Sequence, residues 1–341
     1  MAGDNTNSIE RIRLANLPTP LEKLNLPEEF KIPQEMYIKR DDLTGCAMSG
    51  NKVRKLEYCL AEAKSLGADT VITCGGIQSN HARATAVACA KVGLSCTLVL
   101  KGTPPDELDG NTFIDLLCGA SIRFITEKEW ENVNEIMEEI AEELTISGRR
   151  CYIIPEGASY STGVNGYIEA AREIVEFSRE TSIFFDRVVI PVGSGGTYAG
   201  LVHGFKIHEY DCNVTGFNVQ RSPEYFVKRI VEISNEFVEK LKEGKFKNEQ
   251  ISAIKEDEVD VIGGYDGPEY AVPGEETCRV IRAFARKGIF LDPAYTGKAM
   301  QGFLSEAKKG RWREGEKVLF IHTGGIFSLF PWRKKLLEFT G

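Results

Sequence analysis

Short apolar runs typical of buried strands alternate with helix-like segments along most of this chain of 341 residues. In the first half, this alternation predicts helices at 55–66, 82–92, 111–117 and 129–146, and strands at 71–74, 95–100, 121–125 and 151–155. In the second half, it predicts a helix at 165–177, strands at 187–192, 214–219 and 317–321, and a charged surface helix at 224–256. Strands that alternate with helices form parallel sheets covered by helices on both faces.

The predicted fold class is therefore α/β, with two domains whose twisted parallel sheets are flanked by helices. Residues 53–160 form a small domain in this prediction, inserted into a larger domain made of 1–52 and 161–341. Because ligand pockets often lie at domain interfaces, we expect the functional site in the cleft between the two domains.

A lysine in a small polar turn is the first candidate for chemistry. Lys52 follows the Ser-Gly-Asn turn at 49–51 and precedes Arg54 and Lys55. Neighbouring positive charges favour loss of the Lys52 proton, and a neutral amine is the nucleophile that forms a Schiff base with a carbonyl cofactor. The same cations attract a phosphate. A cluster of this kind is more often a solvated helix face, so its meaning depends on the rest of the chain.

A glycine-rich turn joins the predicted strand at 187–192 to a helix-like segment, and it consists of Gly193, Ser194, Gly195, Gly196 and Thr197. Residues without side chains let backbone N–H groups converge on an anion, and a helix N-terminus adds partial positive charge. This pattern predicts phosphate binding. A dinucleotide site of an oxidoreductase is the rival interpretation, but the next predicted strand lacks the carboxylate that would bind a ribose hydroxyl.

Polar side chains also follow the strand at 71–74, in the run Gln78, Ser79, Asn80 and His81. Ligands of α/β folds bind at the carboxyl ends of the strands, where this run lies. Ser79 or Asn80 can equally cap the helix that follows. Four polar residues in a row exceed what capping needs, so the run is a second candidate segment of the site.

Six motifs in this order resemble the pyridoxal 5′-phosphate enzymes of the tryptophan-synthase-β type, known as fold type II. They lie at 39–44, 49–58, 78–81, 193–197, 292–299 and 322–325. Within this group the chain resembles the branch that holds 1-aminocyclopropane-1-carboxylate deaminase and D-cysteine desulfhydrase. The likeness extends from about residue 17 to about residue 330. It implies a pyridoxal 5′-phosphate cofactor in the interdomain cleft.

The resemblance also implies a role for each matching residue. Lys52 corresponds to the lysine that carries the cofactor, and Lys55 to a second phosphate contact beside the loop from Gly193 to Thr197. Asn80 corresponds to the asparagine that binds the 3-oxygen of the pyridine ring, and Ser79 to the serine beside the substrate. Tyr270 and Tyr295 correspond to the two tyrosines of the active site. Whether Lys52 or a neighbouring hydroxyl removes the Cα proton stays open.

Two positions depart from the deaminase pattern. The deaminases carry glutamate where this chain has Thr296, and leucine where it has Thr323. A carboxylate facing the pyridine nitrogen keeps that nitrogen protonated and strengthens the ring as an electron sink, which opening an unactivated cyclopropane needs. Sulfide leaves a β-carbon readily, so a neutral threonine suffices for its expulsion. The resemblance therefore favours D-cysteine desulfhydrase over the deaminase, with Thr323 or Thr296 facing the ring nitrogen.

Composition limits the other function classes. The net charge of −8 argues against nucleic acid or anionic membrane as the main partner, since both attract cations. We expect a small D-amino acid as substrate, a homodimer as the oligomeric state and the cytoplasm as the location, because the N-terminal residues lack an apolar signal core. Nine scattered cysteines without a C-x-x-C pair indicate reduced thiols and no metal site.

Overall fold

The computed structural model describes residues 10–243 and 251–338. Ten strands occur in these residues: β1 (Leu21–Lys23), β2 (Glu35–Lys39), β3 (Thr70–Gly76), β4 (Ser95–Lys101), β5 (Ser121–Ile125), β6 (Cys151–Ile154), β7 (Arg187–Val192), β8 (Asn213–Asn218), β9 (Asp260–Ile262) and β10 (Lys317–Ile321). The α-helices of the described part are α1 (Asn51–Ser65), α2 (Asn80–Val92), α3 (Gly110–Leu117), α4 (Val133–Ile146), α5 (Ser161–Thr181), α6 (Gly196–Ile207), α7 (Pro223–Glu243), α8 (Glu275–Ala285), α9 (Thr296–Lys308) and α10 (Arg333–Glu338).

The strands form two sheets. The smaller sheet has the order β5-β4-β3-β6, and all of its pairs are parallel. The larger sheet has the order β1-β2-β10-β7-β8-β9, and it is parallel except for the pairing of β1 with β2. The predicted α/β class with parallel sheets flanked by helices is therefore confirmed, with one antiparallel edge strand that the sequence did not indicate.

Each sheet is covered on both faces by apolar side chains. In the larger sheet, Val188 and Ile190 pack with α5, α6 and α7, while Val189 packs with α8 and α9 on the opposite face. In the smaller sheet, Val71 faces α1 and α2, while Ile72 faces α4. Neighbouring residues point to opposite faces because the side-chain period of a strand is two. Strands buried on both faces explain the nearly continuous apolar runs in the sequence.

Some predicted helix boundaries were wrong. Helix α1 begins at Asn51 rather than at residue 55, so Lys52 lies in its first turn, and α5 begins at Ser161 rather than at 165. The helix predicted at 224–256 corresponds to α7, which is described up to Glu243; 244–250 lies outside the described residues, and 251–255 is not helical. The charge pattern continues beyond residue 250, which is why the prediction included 251–255.

A group of four buried charges connects the elements around α1. Arg54 on α1 bonds to Asp41, which follows β2, and to Glu173 on α5. Lys39 at the end of β2 reaches the same Glu173, with Nζ 2.6 Å from Oε2. Two cations thus meet two carboxylates, which keeps the buried group neutral as a whole. This cluster fixes the start of α1 against the larger sheet.

No helix in the described part of the chain has the length and apolar character needed to cross a membrane.

Candidate active site

Lys52 is held at the start of α1 by backbone contacts that only glycine permits. Gly50 precedes the helix with φ +106°, and a Cβ there would lie 2.6 Å from the carbonyl oxygen of Thr323. The Lys52 Nζ donates to the carbonyl oxygen of Gly157 over 3.3 Å. Burial lowers the pKa of Lys52 to about 8, against the opposing effect of the Glu156 carboxylate. A substantial fraction of this amine is therefore neutral, and nucleophilic, near physiological pH.

The cause of this lowered pKa differs from the one expected from the sequence. Arg54 is occupied by Asp41 and Glu173 in the buried cluster, and it is not among the groups that act on Lys52. The prediction that Arg54 helps to deprotonate Lys52 was therefore wrong. Desolvation disfavours the charged amine instead.

Lys55 lies beside Lys52, and the glycine-rich loop approaches both. The Lys55 Nζ donates to the carbonyl oxygen of Gly157 and to Ser159 Oγ, each over 3.2 Å. Burial and the charge of Lys52 lower the pKa of Lys55 well below its usual value. A Cβ on Gly196, the first residue of α6, would lie 2.7 Å from Ser159 Oγ and 3.0 Å from Lys55 Nζ. A buried amine at the N-terminus of a helix is an arrangement that favours an anion.

The loop from Gly193 to Thr197 lines a cavity together with Lys52. Its Ser194 hydroxyl lies 2.8 Å from Ser159 Oγ, and Asn51 Nδ2 donates to Thr197 Oγ1 over 3.1 Å. The lining also includes Asn80, Tyr295 and Thr323. Of the described residues that line this cavity, none carries a carboxylate. The structure thus brings an amine, backbone N–H groups and neutral hydroxyls together at one place.

The two polar residues at the start of α2 differ in position. Ser79 is the N-cap, and its hydroxyl accepts from the backbone N–H of Ala82 over 3.2 Å. Asn80 lines the cavity, and its Oδ1 accepts from Asn111 Nδ2 over 3.0 Å. Capping therefore accounts for one contact of Ser79, whereas the side chain of Asn80 is fixed by a partner on α3 and faces the cavity.

Tyr270 and Tyr295 meet at the edge of this cavity, with their hydroxyl oxygens 2.6 Å apart. Burial raises the pKa of both hydroxyls. The pair fits closely against glycines, because a Cβ on Gly76 would lie 2.9 Å from Tyr270 and one on Gly193 would lie 2.8 Å from Tyr295. The two phenols are therefore neutral at physiological pH and can share or relay a proton.

The two threonines occupy different environments. Thr323 lines the cavity directly after β10. Thr296 lies outside the lining. Its hydroxyl accepts from the backbone N–H of Asp292 and donates to Asp292 Oδ1, both over 2.7 Å. Asp292 also accepts from the backbone N–H groups of Ala294 and Tyr295, each over 3.2 Å. Thr296 thus contributes to the turn that carries Tyr295, and Thr323 is the threonine that faces the cavity.

Glu156 is a site residue that the sequence analysis missed. It follows the carboxyl end of β6, and its charge acts on Lys52, Tyr270 and Tyr295. Burial raises the pKa of Glu156, while Lys52 and other cations oppose that effect. Its position directly after a predicted parallel strand was the signal available in the sequence.

Within the described residues, no group of three or more His, Cys, Asp or Glu side chains has the arrangement of a metal site.

Comparison with known proteins gives a consistent result. Residues 12–324 match the family model described as "Pyridoxal-phosphate dependent enzyme". A putative 1-aminocyclopropane-1-carboxylate deaminase of Thermotoga maritima is 41% identical over 96% of this chain and 100% of its own length. A protein of Arabidopsis thaliana named bifunctional D-cysteine desulfhydrase/1-aminocyclopropane-1-carboxylate deaminase, mitochondrial, is 40% identical over 93% of this chain and 78% of its own length. A crystal structure described as an ACC deaminase homologue superposes with a TM-score of 0.85 at 39% identity, covering 97% of this chain and 96% of that one.

Proposed function

The chain belongs to the family of pyridoxal-phosphate-dependent enzymes, and on that premise we propose that it converts D-cysteine to pyruvate, hydrogen sulfide and ammonia. Its nearest alternative is the deaminase reaction, in which the cyclopropane acid is opened to 2-oxobutanoate and ammonia. Relatives carry both names, so the family alone does not separate the two.

The residues around Lys52 fit the cofactor. An aldehyde that bears a phosphate needs one amine for attachment and a positive, backbone-lined site for the anion. The partly buried Lys52 and the buried Lys55 supply two neighbouring amines, and their protein contacts are a carbonyl oxygen and a serine hydroxyl rather than a carboxylate. The N-terminus of α6 lies beside Lys55. In this proposal Lys52 carries the cofactor, while Lys55 and the loop from Gly193 to Thr197 hold the phosphate.

The observation that carries the choice of reaction is the absence of a carboxylate among the described residues that line the cavity. The cofactor supplies an electron sink, and its strength depends on the partner of the pyridine nitrogen. Thr323 offers a neutral hydroxyl at this cavity. A weaker sink suffices when the departing group is sulfide, but not when an unactivated ring carbon must leave.

The side chains have separate roles in the proposed elimination. Lys52, once free of the cofactor, takes the proton from Cα of the substrate as the carbon–sulfur bond breaks and sulfide departs. The hydroxyl pair of Tyr270 and Tyr295 holds a proton next to this site. Ser79 and the backbone N–H groups at the start of α2 lie on the side proposed for the substrate carboxylate, while Asn80 would bind the 3-oxygen of the cofactor ring. The expectations of a cytoplasmic location and a homodimer remain predictions.

Release of products measured side by side on three substrates tests the proposal. With D-cysteine, L-cysteine and the cyclopropane acid, we expect pyruvate and sulfide from D-cysteine at a much higher rate than any product from the other two. The Lys52→Ala variant, which lacks the proposed attachment lysine, is the control for product formed without the enzyme reaction. Faster formation of 2-oxobutanoate from the cyclopropane acid would instead identify the protein as a deaminase.

A further inference from the structure

A second cavity adjoins the candidate active site and shares Gly193 and Ser194 with it. Its volume is about 520 Å³, which leaves room for a side chain larger than a thiol. Beyond the shared loop, the charged side chains of its lining are Glu131, Glu156, Arg221, Arg229 and Glu232.

The two arginines of this cavity are already engaged by the protein. The Arg221 guanidinium stacks on the Tyr225 ring, 4.5 Å from its centre. Arg229 donates to the carbonyl oxygen of Ser159 over 3.0 Å and pairs with Glu232 over 3.2 Å. Glu156, in contrast, forms no ion pair within 4 Å in the described part of the chain, although Lys52, Arg221 and Lys101 act on it from a greater distance. Burial raises the pKa of Glu156, and those cations offset part of that rise.

The backbone around Glu156 fixes it at the junction of the two cavities. The next residue, Gly157, has φ +66°, and its carbonyl oxygen accepts from both Lys52 and Lys55. A Cβ at Gly157 would lie 2.3 Å from Ser194 Oγ, so this turn cannot move away from the loop without losing the packing. In the described residues, Glu156 is the one carboxylate whose charge acts on Lys52, Tyr270 and Tyr295 together.

We propose that Glu156 is a specificity residue that makes this site favour amino acids with a cationic β-substituent over those with an anionic one. The inference rests on the proposed function, since it takes the site to hold an amino acid next to Lys52. The carboxylate of Glu156 repels the α-carboxylate of such a ligand, which therefore lies toward Asn80 and the N-terminus of α2. The β-substituent then points to Glu156 and the adjoining cavity.

Binding of three unreactive D-amino acids tests this selection by charge. D-2,4-diaminobutyrate, D-homoserine and D-aspartate have chains of four carbons and end in a cationic, a neutral and an anionic group, and none carries a leaving group on its β-carbon. Dissociation constants for the cofactor-loaded protein come from calorimetry at low ionic strength, where charges are least screened. We expect the cationic ligand to bind at least about tenfold more tightly than the anionic one, given the strength of charge interactions at partly buried sites.

The variants Glu156→Gln and Glu232→Gln form a matched pair, because both side chains line the same cavity. We expect Glu156→Gln to reduce the preference to less than about threefold, and Glu232→Gln to keep it. Equal binding of the three ligands by the wild type, or an unchanged preference in Glu156→Gln, would overturn the inference. If the charge preference is present but D-cysteine yields no pyruvate, the proposed function fails and the specificity role of Glu156 stands.

A second measurement on the cofactor-free protein separates this role from a structural one. Among the described residues, the charged and titratable groups that face Lys52 are Lys55 on its own helix, His81 on α2, Glu156 after β6 and Tyr295, which lines the same cavity. Glu156 raises the pKa of Lys52, so its removal should move the pH midpoint of Lys52 acylation by a neutral reagent below that of the wild type. The same midpoint in Glu156→Gln and wild type would contradict a charge effect of Glu156 on this site.

Discussion

At the scale of single residues, the site depends on two amines, one partly buried and one buried, that lack a carboxylate partner at hydrogen-bonding distance in the described residues. Lys52 and Lys55 both contact the carbonyl oxygen of Gly157. Burial lowers the pKa of each, because desolvation penalises the ammonium form. Lys52 is thus available as a nucleophile, while Lys55 lies at the start of α6, where a bound phosphate would favour its ammonium form.

The paired hydroxyls of Tyr270 and Tyr295 give a prediction at this scale. Of these two tyrosines, Tyr295 lines the cavity, and the Tyr270 hydroxyl lies 2.6 Å from its own. If the Tyr295 hydroxyl moves a proton during elimination, Tyr295→Phe should lower kcat by about 10²–10⁴-fold. The absorbance of the bound cofactor should stay unchanged, because phenylalanine keeps the ring that packs against Gly193. A loss of kcat below about tenfold would reduce Tyr295 to a packing role.

At the scale of elements, the site residues follow the carboxyl ends of parallel strands from both sheets. Asn80 comes after β3, Gly157 after β6, Gly193 after β7 and Thr323 after β10. Tyr270 does not follow a strand of these sheets directly and lies in the irregular segment at 263–272. Lys298 of α9 is fully buried and donates to the carbonyl oxygens of Asp266 and Glu269 in that segment. This one side chain therefore ties the segment that carries Tyr270 to the helix that begins after Tyr295.

Loss of the Lys298 ammonium should loosen this segment. Lys298→Met leaves two carbonyl oxygens without their charged donor, a contact that typically contributes about 1.5–3 kcal/mol. We expect backbone amides at 266–272 to exchange hydrogen faster and kcat to fall. Lys308→Met, at an exposed position of the same helix, is the matched control. Unchanged exchange at 266–272 in Lys298→Met would show that Lys298 does not hold the segment.

The elements also show which parts of the site the sequence could reveal. The glycine loop and the run from 78 to 81 were recognisable because each follows an apolar strand of the length that the sheet uses. The contacts of Arg54 were not, because Glu173 lies 119 residues away along the chain. The signal for Glu156 was only its position after a predicted strand, and the segment that carries Tyr270 lacks the periodicity of a helix or strand. Local periodicity identifies one element at a time, whereas these contacts arise only when elements pack.

At the scale of the whole molecule, the buried charges of Lys39, Asp41, Arg54 and Glu173 connect the larger sheet to α1 and α5. Every member is almost completely buried. Since a buried charge without a partner is costly, the four side chains favour a single arrangement of these elements. The start of α1 carries Lys52, so this cluster also fixes the attachment site proposed for the cofactor. The predicted division into domains at 53 and 160 remains a prediction.

Breaking this cluster should destabilise the fold strongly. Removal of one partner from a buried charge pair typically costs about 3–5 kcal/mol, so we expect Arg54→Met to lower the free energy of unfolding in urea by that amount. Lys31→Met removes the exposed pair with Glu28 and should change it by less than about 1 kcal/mol. Similar small effects in both variants would mean that the cluster contributes little to the fold.

The most direct test of the account asks which lysine carries the cofactor. The cofactor-loaded protein is reduced with borohydride, which makes the bond between lysine and cofactor permanent, and the labelled peptide is then identified by mass spectrometry. We predict that the label lies on Lys52 and not on the adjacent Lys55, and that Lys52→Ala loses the label, the absorbance band and the turnover of D-cysteine. A label on Lys55 or on another lysine, or a Lys52→Ala variant that keeps band and turnover, would contradict the account.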